Sequence, residues 1–151
     1  MITLTLLMTM LTAVALGVSD FRSRYVSLFS LIAYALSAVF YGCLAYGVRQ
    51  ALTYAAVGSS ISLLIFVSIC VYFRIREGID SVVIDVKIGK GDLYFFILST
   101  FIFEPFSLIV FYVASGVSGL IYYYLKQSDS IPLISVSVPF VIIYILSKVL
   151  L

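Results

Sequence analysis

Seven residues of the chain are acids, and two of them stand where chemistry is possible. Asp20 closes the first apolar run in Ser19-Asp20-Phe21-Arg22-Ser23-Arg24. Asp92 opens a later one in Gly89-Lys90-Gly91-Asp92-Leu93. An ionisable group at the edge of an apolar helix is costly to desolvate, which marks it as a functional candidate. Two carboxylates held close cannot both ionise easily. One keeps a proton, and the other acts as general base on a water between them. The base then activates the water while the acid protonates a leaving amide, which is aspartic-protease chemistry. A helix N-terminus favours the anion of Asp92 through its backbone N–H groups and dipole. Asp20 at a helix C-terminus lacks that support, although Arg22 and Arg24 oppose the effect. Asp92 is therefore read as the base and Asp20 as the protonated partner, the pair titrating as a unit. The structural alternative is a pair of caps. Asp92 would be the N-cap of its helix, with Gly89 and Gly91 making the turn. Asp20 would cap the second helix or pair with an arginine.

The absence of histidine narrows the chemistry. It removes Ser-His-Asp and Cys-His hydrolases, HExxH zinc proteases and haem with a proximal histidine. Acid–base work is left to Asp, Glu, Lys, Tyr or Ser. Cys43 and Cys70 each lie inside an apolar run with no metal-ligand spacing, and they read as small apolar helix residues. Neither a metal nor a cofactor is expected. Ser147-Lys148 has the composition of a Ser-Lys dyad but lies at the chain end, on the face opposite the two aspartates. Glu104 reads as an outer-boundary residue beside Pro105. The 12 tyrosines read as interfacial belts and packing.

The elements that must position the acids are dictated by composition. Of 151 residues, 64% are hydrophobic and 11% charged, with a mean hydropathy of +1.23. A soluble domain carries about 25% charge, so this chain cannot cover a water-facing surface. An all-α polytopic membrane protein in a lipid bilayer is expected. A net charge of +2 gives no reason to expect a nucleic-acid partner.

A bilayer core about 30 Å thick takes about 20 apolar residues per helix. The apolar runs are 1–19, 25–48, 50–73, 93–126 and 131–151. The fourth is too long for one span, and Glu104-Pro105 divides it into 93–103 and 105–126, because proline starts a helix more readily than it continues one. Six transmembrane helices in one domain, 1–151, are predicted, the fourth of them short. The only long polar connection is 74–91. Within it, 81–88 alternates apolar and polar residues after Val83 and is predicted as a short strand, either solvated or able to accept an extended peptide; Asp80 and Asp85 on this loop are read as solvated or leader-facing. The first run carries no Lys or Arg, which speaks against a cleaved signal and for a retained first helix.

Basic residues fall mainly on the odd loops: Arg22, Arg24, Arg74, Arg76, Lys87, Lys90 and Lys126, against Arg49 and Lys148 on the other side. This puts the odd loops in the cytoplasm. Two crossings separate Asp20 from Asp92, so both share the cytoplasmic face, and their helices are expected to pack side by side.

At these residues the chain resembles the type IV prepilin peptidases, membrane aspartyl proteases with a Gly-x-Gly-Asp motif. Their first motif, Asp-x-Arg-x-x-x-Ile-Pro-Asn, is met here by Asp20-Phe21-Arg22 with Val26, without the Pro-Asn pair. Their second, Gly-x-Gly-Asp-x-Lys-Leu, is met by Gly89-Lys90-Gly91-Asp92, without the lysine. Ile131-Pro132-Leu133 is similar to the opening of their last helix. The resemblance implies catalytic Asp20 and Asp92, supported by Gly89, Gly91 and Arg22, facing the cytoplasm from the inner membrane of a bacterium or archaeon. It implies a prepilin-like substrate with a short basic leader, cleaved typically after a glycine. Methylation is not expected, because the zinc-binding cysteine cluster of larger members is absent. The reading from another class is a non-enzymatic membrane scaffold or small transporter. A transporter would place ionisable groups near the midplane, whereas here they fall at loops and termini.

Overall fold

The computed structural model describes residues 2–23, 26–77, 89–126 and 131–150. The described residues form α1 (Ile2–Ser23), α2 (Leu28–Tyr46), α3 (Val48–Glu77), α4 (Lys90–Ser99), α5 (Pro105–Lys126) and α6 (Leu133–Leu150), with no strand among them. The strand predicted over 81–88 lies outside the described residues, as do Arg24, Asp80 and Asp85. Four helices are long and apolar enough to cross a membrane: Thr3–Arg22, Leu28–Tyr46, Val48–Tyr72 and Pro105–Lys126. Leu133–Lys148 is a shorter apolar helix.

Several boundaries differ from the sequence reading, for one shared reason. An apolar run ends at its first charge, but backbone hydrogen bonding does not. α1 continues through Asp20 to Ser23, and α3 continues past residue 73 to Glu77. At 30 residues α3 is about 45 Å long, longer than a hydrocarbon core. α4 begins at charged Lys90, not at 93, and ends at Ser99. Past its end the chain tightens into i→i+3 bonds, Thr100 N–H to Ile97 O (3.2 Å), Phe101 to Leu98 (3.3 Å) and Ile102 to Ser99 (2.9 Å).

α1 packs on α2 and α6; α6 also packs on α5, and α2 on α3. The short α4 is enclosed by α2, α3 and α6. Its Phe95, Phe96 and Ser99 are buried, as are Thr100, Ile102 and Phe103 just beyond. Irregular backbone at this depth is tolerated only where protein encloses it and supplies hydrogen bonds. Tyr46 OH donates to Ile102 O (2.8 Å), and Glu104 N–H donates to Tyr144 OH (3.3 Å). Gly42 of α2 makes the close approach possible, since a Cβ there would lie 2.3 Å from Phe101 O.

The packing is apolar inside and outside. Phe29, Ile75 and Phe106 are exposed along with many other large apolar side chains. Hydroxyl pairs lie within: Tyr34 with Ser99 (2.8 Å), Ser62 with Tyr112, and Thr12 with Ser37 (3.0 Å). Such a surface suits lipid, with polar groups turned to one another inside the bundle. The protein reads as membrane-embedded and multi-pass.

Candidate active site

Asp20 lies in the last turn of α1, with three helical residues after it, and is 7% exposed. Nothing in Phe21-Arg22-Ser23 breaks a helix, so the side chain is directed from a helical turn towards a neighbour. That neighbour is the first turn of α6. Oδ2 of Asp20 accepts the Ser135 backbone N–H at 3.1 Å and the Ser135 hydroxyl at 3.1 Å. First-turn N–H groups have no partner within their own helix, and a carboxylate is a good acceptor for them. Asp20 thus caps a helix across space. The helix is α6, not α2, and the partner among the described residues is a serine. Arg22 is exposed, beside an open groove of about 480 Å³ between α1 and α6.

The single Ser135 hydroxyl hydrogen is shared between Asp20 Oδ2 and Gly17 O, the latter nearer at 2.7 Å, which ties the two helices at a second point. Four residues on, Pro139 has no N–H to return to the Ser135 carbonyl. Ser135 and Pro139 both line the groove, together with Gly17 and Arg22.

Asp92 occupies the third position of α4 and is half-buried. The N-cap is Gly89, not Asp92, with extended φ −67° and ψ 139°. The Asp92 and Leu93 N–H groups both donate to Gly89 O, at 3.1 and 3.3 Å. The Asp92 side chain curls back over the cap, since a Cβ on Gly89 would lie 3.2 Å from its Oδ2. This is the position from which an acid covers the start of its own helix. Gly91 has a different role. A Cβ there would lie 2.5 Å from Val26 Cγ2, so only glycine lets this turn sit on the segment between α1 and α2.

These contacts bring the predicted residues to one end of the bundle. Asp20 meets the start of α6, and Val26, six residues after Asp20, meets Gly91 beside Asp92. α1 and α4 make no extensive contact with each other, contrary to the side-by-side expectation. Instead α2 and α6 each touch both. The opposite end holds Glu104 and Lys148, which form an ion pair at 2.6 Å. A Ser-Lys dyad is not assembled there: the Ser147 hydroxyl donates to Tyr144 O of its own helix (2.7 Å), while Lys148 reaches Glu104. Cys43 and Cys70 are free thiols. Among the described residues, no group of three or more His, Cys, Asp or Glu side chains gathers to hold a metal ion.

The residue that sequence reasoning missed is Ser135. Its type is unremarkable among many helical serines. One signal was available: Ile131-Pro132-Leu133 starts a helix at the end where α1 finishes, and the first turn of such a helix needs an acceptor. The sequence matches no protein-family model, no curated protein and no solved structure.

Proposed function

We propose that the protein is a membrane aspartic endopeptidase that cleaves the leader of a prepilin-like protein at the cytoplasmic face of the inner membrane. In this reading all six helices belong to the membrane, with α4 reaching only part way. The observation that carries it is the grouping at one end of the bundle of a buried carboxylate and a second one on a Gly-x-Gly-Asp turn, in a chain without histidine. The resemblance in motif order and the bias of basic residues towards that end support it.

Asp92 accepts a proton from water, and the resulting hydroxide attacks the scissile carbonyl. Asp20 gives a proton to the leaving amine nitrogen. Each turnover leaves the proton on the opposite aspartate, and exchange with bulk water resets the pair. Both groups lie at a helix end.

The test is co-expression of the chain with a prepilin-like substrate. Asp20→Asn and Asp92→Asn should each abolish processing while the protein still accumulates in the membrane. Normal cleavage by either variant would remove the paired-aspartate assignment. A second reading, a non-enzymatic scaffold, is favoured by the capping contacts themselves: Asp20 on the Ser135 N–H, and Asp92 over Gly89. It predicts no processing by the unmodified chain, and loss of stability as the sole effect of Asp20→Asn.

A further inference from the structure

The carboxylate of Asp20 is held by one of its oxygens. Oδ2 takes both the backbone N–H and the hydroxyl of Ser135, at 3.1 Å each. Among the described residues Oδ1 accepts no hydrogen bond. The Ser135 hydroxyl has one hydrogen and stands between two acceptors that share it, Gly17 O at 2.7 Å and Asp20 Oδ2 at 3.1 Å. Gly17 and Asp20 are three residues apart on α1, so this one side chain spans a full turn of that helix. The contact is also confined. A Cβ on Gly17 would lie 3.1 Å from Val138 Cγ2, so α1 and α6 meet closely here.

A carboxyl group acting in proton transfer must present a defined oxygen, and small misplacements of such a group reduce rate steeply. We infer that Ser135 is the positioning residue of Asp20: it immobilises Oδ2 and leaves Oδ1 as the oxygen turned to the reacting water and amide. The inference rests on the peptidase reading and deepens it. Ser135 touches no reacting atom in this scheme; it acts through Asp20. The backbone N–H survives any side-chain replacement, whereas the hydroxyl does not, so the two halves of the clamp separate experimentally.

The experiment uses the full chain in lipid vesicles with a prepilin-like substrate. Ser135→Ala should lower kcat by about tenfold or more with KM nearly unchanged, and Ser135→Thr, which keeps a hydroxyl, should restore it. Independently, infrared spectra of protein carrying ¹³C-labelled aspartate carboxyls isolate the Asp20 band by difference against Asp20→Asn. That band should move in Ser135→Ala and return in Ser135→Thr. If Ser135 only fastens α1 to α6, Ser135→Ala lowers thermal stability while kcat and the Asp20 band stay put, and the inference is overturned. If Asp20→Asn or Asp92→Asn cleaves normally, the peptidase reading fails and the catalytic inference falls with it. The infrared band then still reports whether Ser135 holds Asp20, so the two failures are distinguishable.

Discussion

Asp20 and Asp92 solve the same local problem by different means. Each lies at a helix start, Asp20 accepting an N–H across space on α6 and Asp92 folded back beside the Gly89 cap of its own helix. A capping carboxylate is already oriented and partly shielded, and those are properties a proton-transfer group also needs. The glycines around Asp92 answer to sterics. At Gly91 an added Cβ would meet Val26 Cγ2 at 2.5 Å. Gly91→Ala should therefore displace the α4 turn from the α1–α2 segment and reduce processing strongly. Val26→Ala opens space at that contact, and the double variant should recover activity relative to Gly91→Ala alone. A leader-cleavage assay on the three variants checks this; absence of recovery would place the effect of Gly91 elsewhere. Gly89→Ala should be milder, since its nearest neighbour is the end of the Asp92 side chain at 3.2 Å.

The element that organises the interior is α4. Ten residues make about 15 Å of helix, half of a hydrocarbon core. Its end is set by Ser99 and Thr100, whose hydroxyls bond back to Phe95 O (2.8 Å) and Ile97 O (2.6 Å) as the backbone tightens. The carbonyls and N–H groups freed there are met by tyrosines, with Tyr46 OH also 3.1 Å from Tyr144 OH. Two variants separate space from hydrogen bonding. Gly42→Ala drives a methyl group to 2.3 Å from a backbone oxygen and should destabilise the fold by about 1–3 kcal/mol. Tyr46→Phe removes the donor to Ile102 O and should cost about 1 kcal/mol, typical of a hydrogen bond inside a membrane protein. Unfolding in detergent micelles measures both, and the order Gly42→Ala worse than Tyr46→Phe is the prediction.

At the scale of the whole molecule, the two ends differ in kind. One carries Asp20, Asp92 and Ser135; the other carries the Glu104–Lys148 ion pair and the tyrosines that close α4. If the bundle sits in the membrane as proposed, Arg49 and Lys126, both exposed, lie on opposite faces. With Cys43 and Cys70 replaced by serine, Arg49→Cys should react with a membrane-impermeant thiol reagent from outside intact cells. Lys126→Cys should react only after the membrane is opened. Labelling of both from one side would overturn the six-span arrangement. In the sequence, two apolar runs long enough to cross a bilayer separate Asp20 from Asp92, which predicts that they share an end, and Glu104-Pro105 marks a turn between two others. Helix limits were less legible: charge ends an apolar run without ending a helix, as Asp20 within α1 and Lys90 within α4 both illustrate.

Composition by itself determined that this chain forms apolar helices facing an apolar solvent, since 11% charged residues cannot cover a water-exposed surface. Chain order determined which acids share an end. Tertiary structure decided what holds them. The hydrogen-bond partner of Asp20 is 115 residues away on a helix start, and the neighbour that requires glycine at 91 is Val26. Such pairings depend on how close two helices come and at what height, and that is set by the small and bulky side chains of every helix between them, a property no local pattern carries.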